Sequence, residues 1–85
     1  MDKYEVAQRA SALPARFAER VTPHTLESIQ LMEEGGEYEE LTIELAASLA
    51  AHNTPVTAAE RDELLALLEA MDMPTDPIDK LNVQG

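Results

Sequence analysis

Residues 35–60, GGEYEELTIELAASLAAHNTPVTAAE, decide the fold, because they read as one complete helix with a stop on each side and the start of another. From Tyr38 on, Leu41, Leu45 and Leu49 follow at intervals of three, four and four, the spacing of a single helix face. Ile43, Ala46, Ala47 and Ala50 widen that stripe. Gly35 and Gly36 close the helix before it, since a glycine just past the last turn readily takes the left-handed conformation that termination needs. On the far side Asn53 suits a C-terminal turn and Pro55 cannot continue a helix. Thr57 and Glu60 then stand three apart ahead of an apolar run, the arrangement of a capping box.

Working outward, Leu64, Leu65, Leu67, Leu68 and Met71 predict a further helix whose apolar arc is broad enough for a central place in a bundle. Upstream, Thr22 can cap and Pro23 can occupy the first position of a helix that carries Leu26, Ile29 and Met32 on one side. A first helical segment runs from Asp2 to about Leu13, and Pro14 makes the next residues either a short helical turn or a kinked continuation. Beyond Met71 the chain has two prolines, three aspartates and no periodicity. These signals predict an all-α fold, a small single-domain helical bundle of three main helices plus an N-terminal helical arm. Residues 1–73 form the domain and 74–85 an irregular tail, with a short turn starting at Asp76-Pro77 as its one candidate for structure.

Composition agrees with helices. Of 85 residues, 13 are alanine and 11 leucine, against four valines and three isoleucines, and the aromatics are Phe17, Tyr4 and Tyr38. Unbranched side chains lose little entropy in a helix, whereas strands favour branched and aromatic ones. The absence of cysteine leaves no disulfide, thiol nucleophile or cysteine-ligated zinc. No apolar run approaches the ~20 residues of a membrane span, and the first residues lack the apolar core of a signal peptide. The expectation is a soluble protein of the cytoplasm. A net charge of −11 argues against unaided binding to nucleic acid or an anionic membrane and favours encounter with a basic partner, while also serving solubility.

Candidate catalytic groups do not assemble into a motif. His24 sits in a first helical turn and His52 at a helix C-terminus, where the dipole favours it, with no paired-ligand spacing between them. Asp72, Asp76 and Asp79 lack the alternate oxygen ligands and central glycine of a calcium loop. Ser11, Ser28 and Ser48 belong to no nucleophile motif, and Gly35-Gly36 is too short and too acidic to cradle phosphate. The reading is a non-enzyme without metal, cofactor or small-molecule substrate.

Charge is segregated along the chain. Lys3, Arg9, Arg16 and Arg20 lie in the first twenty positions, and no lysine or arginine falls between Val21 and Glu60. Glu37, Glu40 and Glu44 share one side of a helix at spacings where like charges repel by a few tenths of a kcal/mol. Two accounts need no partner: acids favour a first helical turn, and the N-terminal arginines can fold back to pair with them. Neither explains Glu33 and Glu34, which sit at a helix C-terminus, or Glu44, which lies past the first turn. Glu33, Glu34, Glu37, Glu40 and Glu44, with Tyr38 as an aromatic anchor if exposed, are therefore the candidate partner-binding residues.

Residues 33–71, EEGGEYEELTIELAASLAAHNTPVTAAERDELLALLEAM, resemble the MafI-type immunity proteins of bacterial polymorphic toxin systems in their order of features: an acidic Gly36-Glu37 turn, a helix with Leu41, Leu45 and Leu49, a turn containing Pro55, and a last helix with Leu64 and its own capping threonine. The resemblance spans about residues 13–73. It implies that the protein binds and neutralises a cognate toxin domain made by the same cell, commonly a nuclease. Immunity surfaces vary with their toxins, so the resemblance assigns no site residues, and the candidates rest on charge. The alternatives are an acidic adaptor or regulatory subunit docking on a basic partner protein, and a homodimer joined through the leucine face of residues 64–71.

Overall fold

Four helices longer than a single turn form the body of the protein: α1 (Lys3–Ser11), α3 (Pro23–Glu34), α4 (Tyr38–Ala51) and α5 (Ala58–Ala70), with α2 (Leu13–Arg16) a single turn between the first two. This computed structural model describes residues 1–84. Each start has a local cause. The Asp2 carboxylate accepts from the Glu5 backbone N–H at 2.8 Å and Thr22 Oγ1 from Thr25 N–H at 3.1 Å. Thr57 and Glu60 make both bonds of the capping box, at 3.1 and 2.9 Å. Helix α4 starts at Tyr38 with Glu37 as its N-cap residue and no side-chain cap.

Three helices end alike. After α3, α4 and α5 the chain turns through a left-handed residue, Gly36 (φ 70°), Asn53 (φ 52°) and Asp72 (φ 57°) respectively. In each case the next N–H reaches back five residues, from Glu37 to Met32, Thr54 to Leu49 and Met73 to Leu68, at 2.8–3.0 Å, and the left-handed residue's own N–H reaches back three, to Glu33, Ala50 and Glu69, at 3.1 Å. This double bond pattern satisfies carbonyls that a helix end leaves free.

The core is one cluster. Phe17, Leu13, Ile29, Leu41, Leu45, Leu49, Leu64, Leu67 and Leu68 are fully buried, with Val6, Val56 and Ile78 nearly so. Two threonines enter it with their hydroxyls bonded: Thr42 Oγ1 donates to Tyr38 O at 2.8 Å, and Thr25 Oγ1 shares a 3.3 Å bond with Ser48 that ties α3 to α4. Among the described residues no buried side-chain nitrogen or oxygen lacks a partner.

Two expectations are corrected. The first segment is not an arm: Val6 and Ala10 are buried, and α1 packs on α4 and α5 as a fourth helix of the bundle. Pro14 is the second residue of α2, in its first turn, after which Ala18–Arg20 adds a turn of 3-10 helix beyond the buried Phe17. The C-terminal segment is not irregular over 76–83, and the short turn expected from Asp76-Pro77 is its first part. Asp76–Lys80 is a 3-10 helix that seats Ile78 against α4 and α5, and two residues, β2 (Asn82–Val83), pair in parallel with β1 (Pro55–Val56). Gln84 N–H donates to Val56 O at 2.8 Å and the Asn82 side chain to Asn53 O at 3.1 Å. Aperiodic sequence hid the packing and the strand pairing because its one buried side chain, Ile78, gives no stripe to read.

Candidate functional site

The turn between α3 and α4 sets where the glutamates stand. Gly36 supplies the positive φ, its N–H bonds Glu33 O at 3.1 Å, and the Glu37 N–H bonds Met32 O at 2.8 Å. So short a connection makes α3 and α4 antiparallel neighbours, the most extensively packed pair in the fold. The end of α3 and the start of α4 therefore lie side by side, which brings Glu33, Glu34, Glu37 and Glu40 to one end of the bundle. Glu44 is one turn further along α4, about 6 Å by helical rise. Glu34, Glu37 and Glu40 are exposed, and Glu33 and Glu44 half-buried.

The arginines do not turn toward this end. Among the described residues the ion pairs are Arg9–Glu5, Arg16–Glu63, Arg20–Glu60 and Arg61–Asp62. The fold-back pairing expected for the acidic turn is thus made with α5 instead. The physical reason is Phe17, whose burial brings Arg16 and Arg20 over its ring at 5.9 and 4.4 Å and points them at the first turns of α5. Arg20 reaches Glu60 through both terminal nitrogens, at 2.8 and 2.6 Å. Those hydrogen bonds hold the Glu60 carboxyl down, from its ordinary 4.5 to about 2, against the opposing effect of burial. The same bonds raise the Arg20 guanidinium above its ordinary value. Among the described residues the carboxylates at 33, 34, 37, 40 and 44 take part in no ion pair.

Tyr38 is half-buried, so it does not stand out as a free aromatic anchor. It lines an open groove of about 460 Å³ with Val6, Ala7, Gly36, Ala70 and Met71. Met1, Lys3 and Glu39 complete its edge. Sequence reasoning missed this groove, because its walls come from α1, α4 and α5 and no single stretch of chain carries the pattern. A smaller depression of about 290 Å³ lies over Ala47, Ala50 and Ala51, edged by Asp76, Pro77 and Lys80.

His24 is exposed in the first turn of α3, and His52, also exposed, bonds Ser48 O through Nδ1 at 2.9 Å. Among the described residues no three histidine, aspartate or glutamate side chains converge as metal ligands, and no helix is long and apolar enough to cross a membrane. Compared with protein-family models, curated proteins and solved structures, the chain matches none of them.

Proposed function

We propose that this protein is an immunity protein of the MafI type, which binds a cognate toxin domain in the cytoplasm and neutralises it through the acidic end of the bundle. The observation that carries the reading is the division of charge: Arg16 and Arg20 are held by α5, and among the described residues the carboxylates at 33, 34, 37, 40 and 44 form no ion pair. Glutamates in the last turn of α3 oppose the helix dipole, so local stability gives no reason for them. A basic surface on a partner gives one. If that surface is a nuclease cleft, the carboxylates occupy sites that otherwise hold phosphates, and their long-range field speeds encounter.

A leucine-seam homodimer loses its support, because Leu64, Leu67 and Leu68 are fully buried within the monomer. The adaptor alternative shares the same surface and differs in the partner. Capture of the protein from its native cell, with mass spectrometry of what binds it, separates them. A toxin domain encoded directly upstream is the expected result. A metabolic enzyme or a regulator as the stoichiometric partner overturns the toxin reading. With the partner in hand, charge reversal at Glu37, Glu40 and Glu44 to lysine is expected to weaken binding by about 2–4 kcal/mol while preserving helicity.

A further inference from the structure

The groove at Tyr38 joins an apolar floor to a local balance of charge. Val6, Ala7, Tyr38, Ala70 and Met71 supply the floor, and the charged side chains that line it are Lys3 on the α1 wall and Glu39 on the α4 wall. Both are exposed, and among the described residues neither takes part in an ion pair. The apolar surface does not stop at the groove. Among the described residues the large hydrophobic side chains left exposed are Met1, Tyr4 and Leu31, and two of these three belong here. Met1 lines the groove, and Tyr4, 74% exposed, lies one helical turn from Ala7 on the crest of α1 beside it. A projecting aromatic next to an apolar depression, with a cation on one wall and an anion on another, makes a surface complementary to itself. Other occupants fit less well. A basic segment would meet Lys3, and a phosphate-bearing one would meet Glu39 and the field of a protein with a net charge of −11.

We propose that two copies of the chain associate through this face, about a two-fold axis that seats the α1 crest of each copy, with Tyr4, in the groove of the other and brings Lys3 of each to Glu39 of the other. An aromatic side chain at the centre of such a contact carries much of its energy. Net charge opposes the association and sets its strength. Repulsion between two copies of charge −11 is long-range and is screened beyond about 8 Å at physiological salt, whereas apolar burial and the paired charges act at contact. The dimer is therefore weak in dilute buffer and tightens as salt rises. Its seam is distinct from Leu64, Leu67 and Leu68, which are buried inside the monomer. Gly36 and Tyr38 belong to the turn that sets out the glutamates, so a second copy and a basic partner meet at the same end of the bundle, but the association itself needs no partner.

Sedimentation equilibrium and amide spectra of the isotopically labelled protein test this, taken from about 20 µM to about 1 mM at about 0.1 and about 0.5 M sodium chloride. The mass should approach that of a dimer at the upper concentrations, and further at the higher salt, with concentration-dependent shifts at Lys3, Ala7, Tyr38 and Met71. Tyr4→Ser changes a side chain that the monomer leaves exposed, and should weaken association about tenfold with the circular dichroism unchanged. Lys3→Glu and Glu39→Lys should each weaken it as well. An equimolar mixture of those two variants should associate about tenfold more tightly than either alone, because each contact across the seam then joins a glutamate to a lysine. Net charge by itself places the mixture between the two variants, and that result overturns the pairing of Lys3 with Glu39. A monomer at the highest concentration and salt overturns the dimer. A dimer whose shifts lie away from the groove, or one that Tyr4→Ser leaves unchanged, overturns this seam. The measurements on the unaltered protein stand even if a variant misfolds, and none depends on whether the natural partner is a toxin, which the capture experiment decides separately.

Discussion

At Glu60 one carboxylate accepts from the Thr57 backbone N–H at 2.9 Å and from both terminal nitrogens of Arg20, while Arg20 lies 4.4 Å from the centre of the Phe17 ring. A cap of α5, an ion pair across 40 positions of sequence and the cover of a core aromatic thus meet at one residue. Because the folded pKa is depressed, the stabilisation is fully present above the ordinary value of 4.5 and is lost as pH falls toward about 2. Glu60→Gln keeps a capping acceptor and removes the charge. It is expected to cost about 1 kcal/mol at neutral pH, a modest figure because the pair sits near the surface where water screens it. Urea denaturation of both proteins should show the difference shrinking below pH 4.5 and vanishing near pH 2. A difference that stays constant with pH would assign the effect to the cap instead of the ion pair.

Helix ends set the arrangement of the elements, and they can be tested one at a time. A Cβ at Gly36 meets nothing within 4 Å, so Gly36→Ala probes only the positive φ and should destabilise by about 1–2 kcal/mol in thermal denaturation. Asp72 holds the same conformation at the end of α5, where an acid also opposes the dipole. Asp72→Gly should therefore stabilise by about 0.5 kcal/mol, the backbone relief exceeding the added entropy of the unfolded chain. Ile78→Ala should cost about 2–4 kcal/mol, as expected for a core residue and not for one in a loose tail. The difference between Gly36 and Ile78 marks what could be read in advance. Thr22, Gly36, Thr57 and Glu60 act on backbone within a few residues, so their roles are legible locally. The leucines at 41, 45 and 49 are legible by period. Arg20 with Glu60, and Pro55 with Asn82, depend on partners far along the chain, and nothing local announces them. The candidate site divides the same way: its glutamates follow from the α3–α4 turn, whereas the groove beside Tyr38 needs three helices in place.

Across the whole molecule a net charge of −11 repels itself, and the glutamates at the α3–α4 end form no ion pair among the described residues. Added salt should therefore raise the stability of the free protein and lower its affinity for a basic partner, since it screens a repulsion in the first case and an attraction in the second. The two effects can also be separated by residue. Glu33 and Glu34 lie in the last turn of α3, which has no basic residue of its own. Lysine at both positions would reverse an unfavourable interaction with the dipole and relieve repulsion from Glu37, so Glu33→Lys with Glu34→Lys should stabilise the free protein by about 0.5–1.5 kcal/mol. The same pair of changes should weaken partner binding at least tenfold if the acidic end is the docking face. Opposite signs in the melting temperature and the affinity are the outcome that a surface kept for binding predicts. If stability falls along with affinity, these glutamates support the fold through contacts of their own. If affinity is unchanged, the partner docks elsewhere and the charge at this end serves only to keep the protein dispersed.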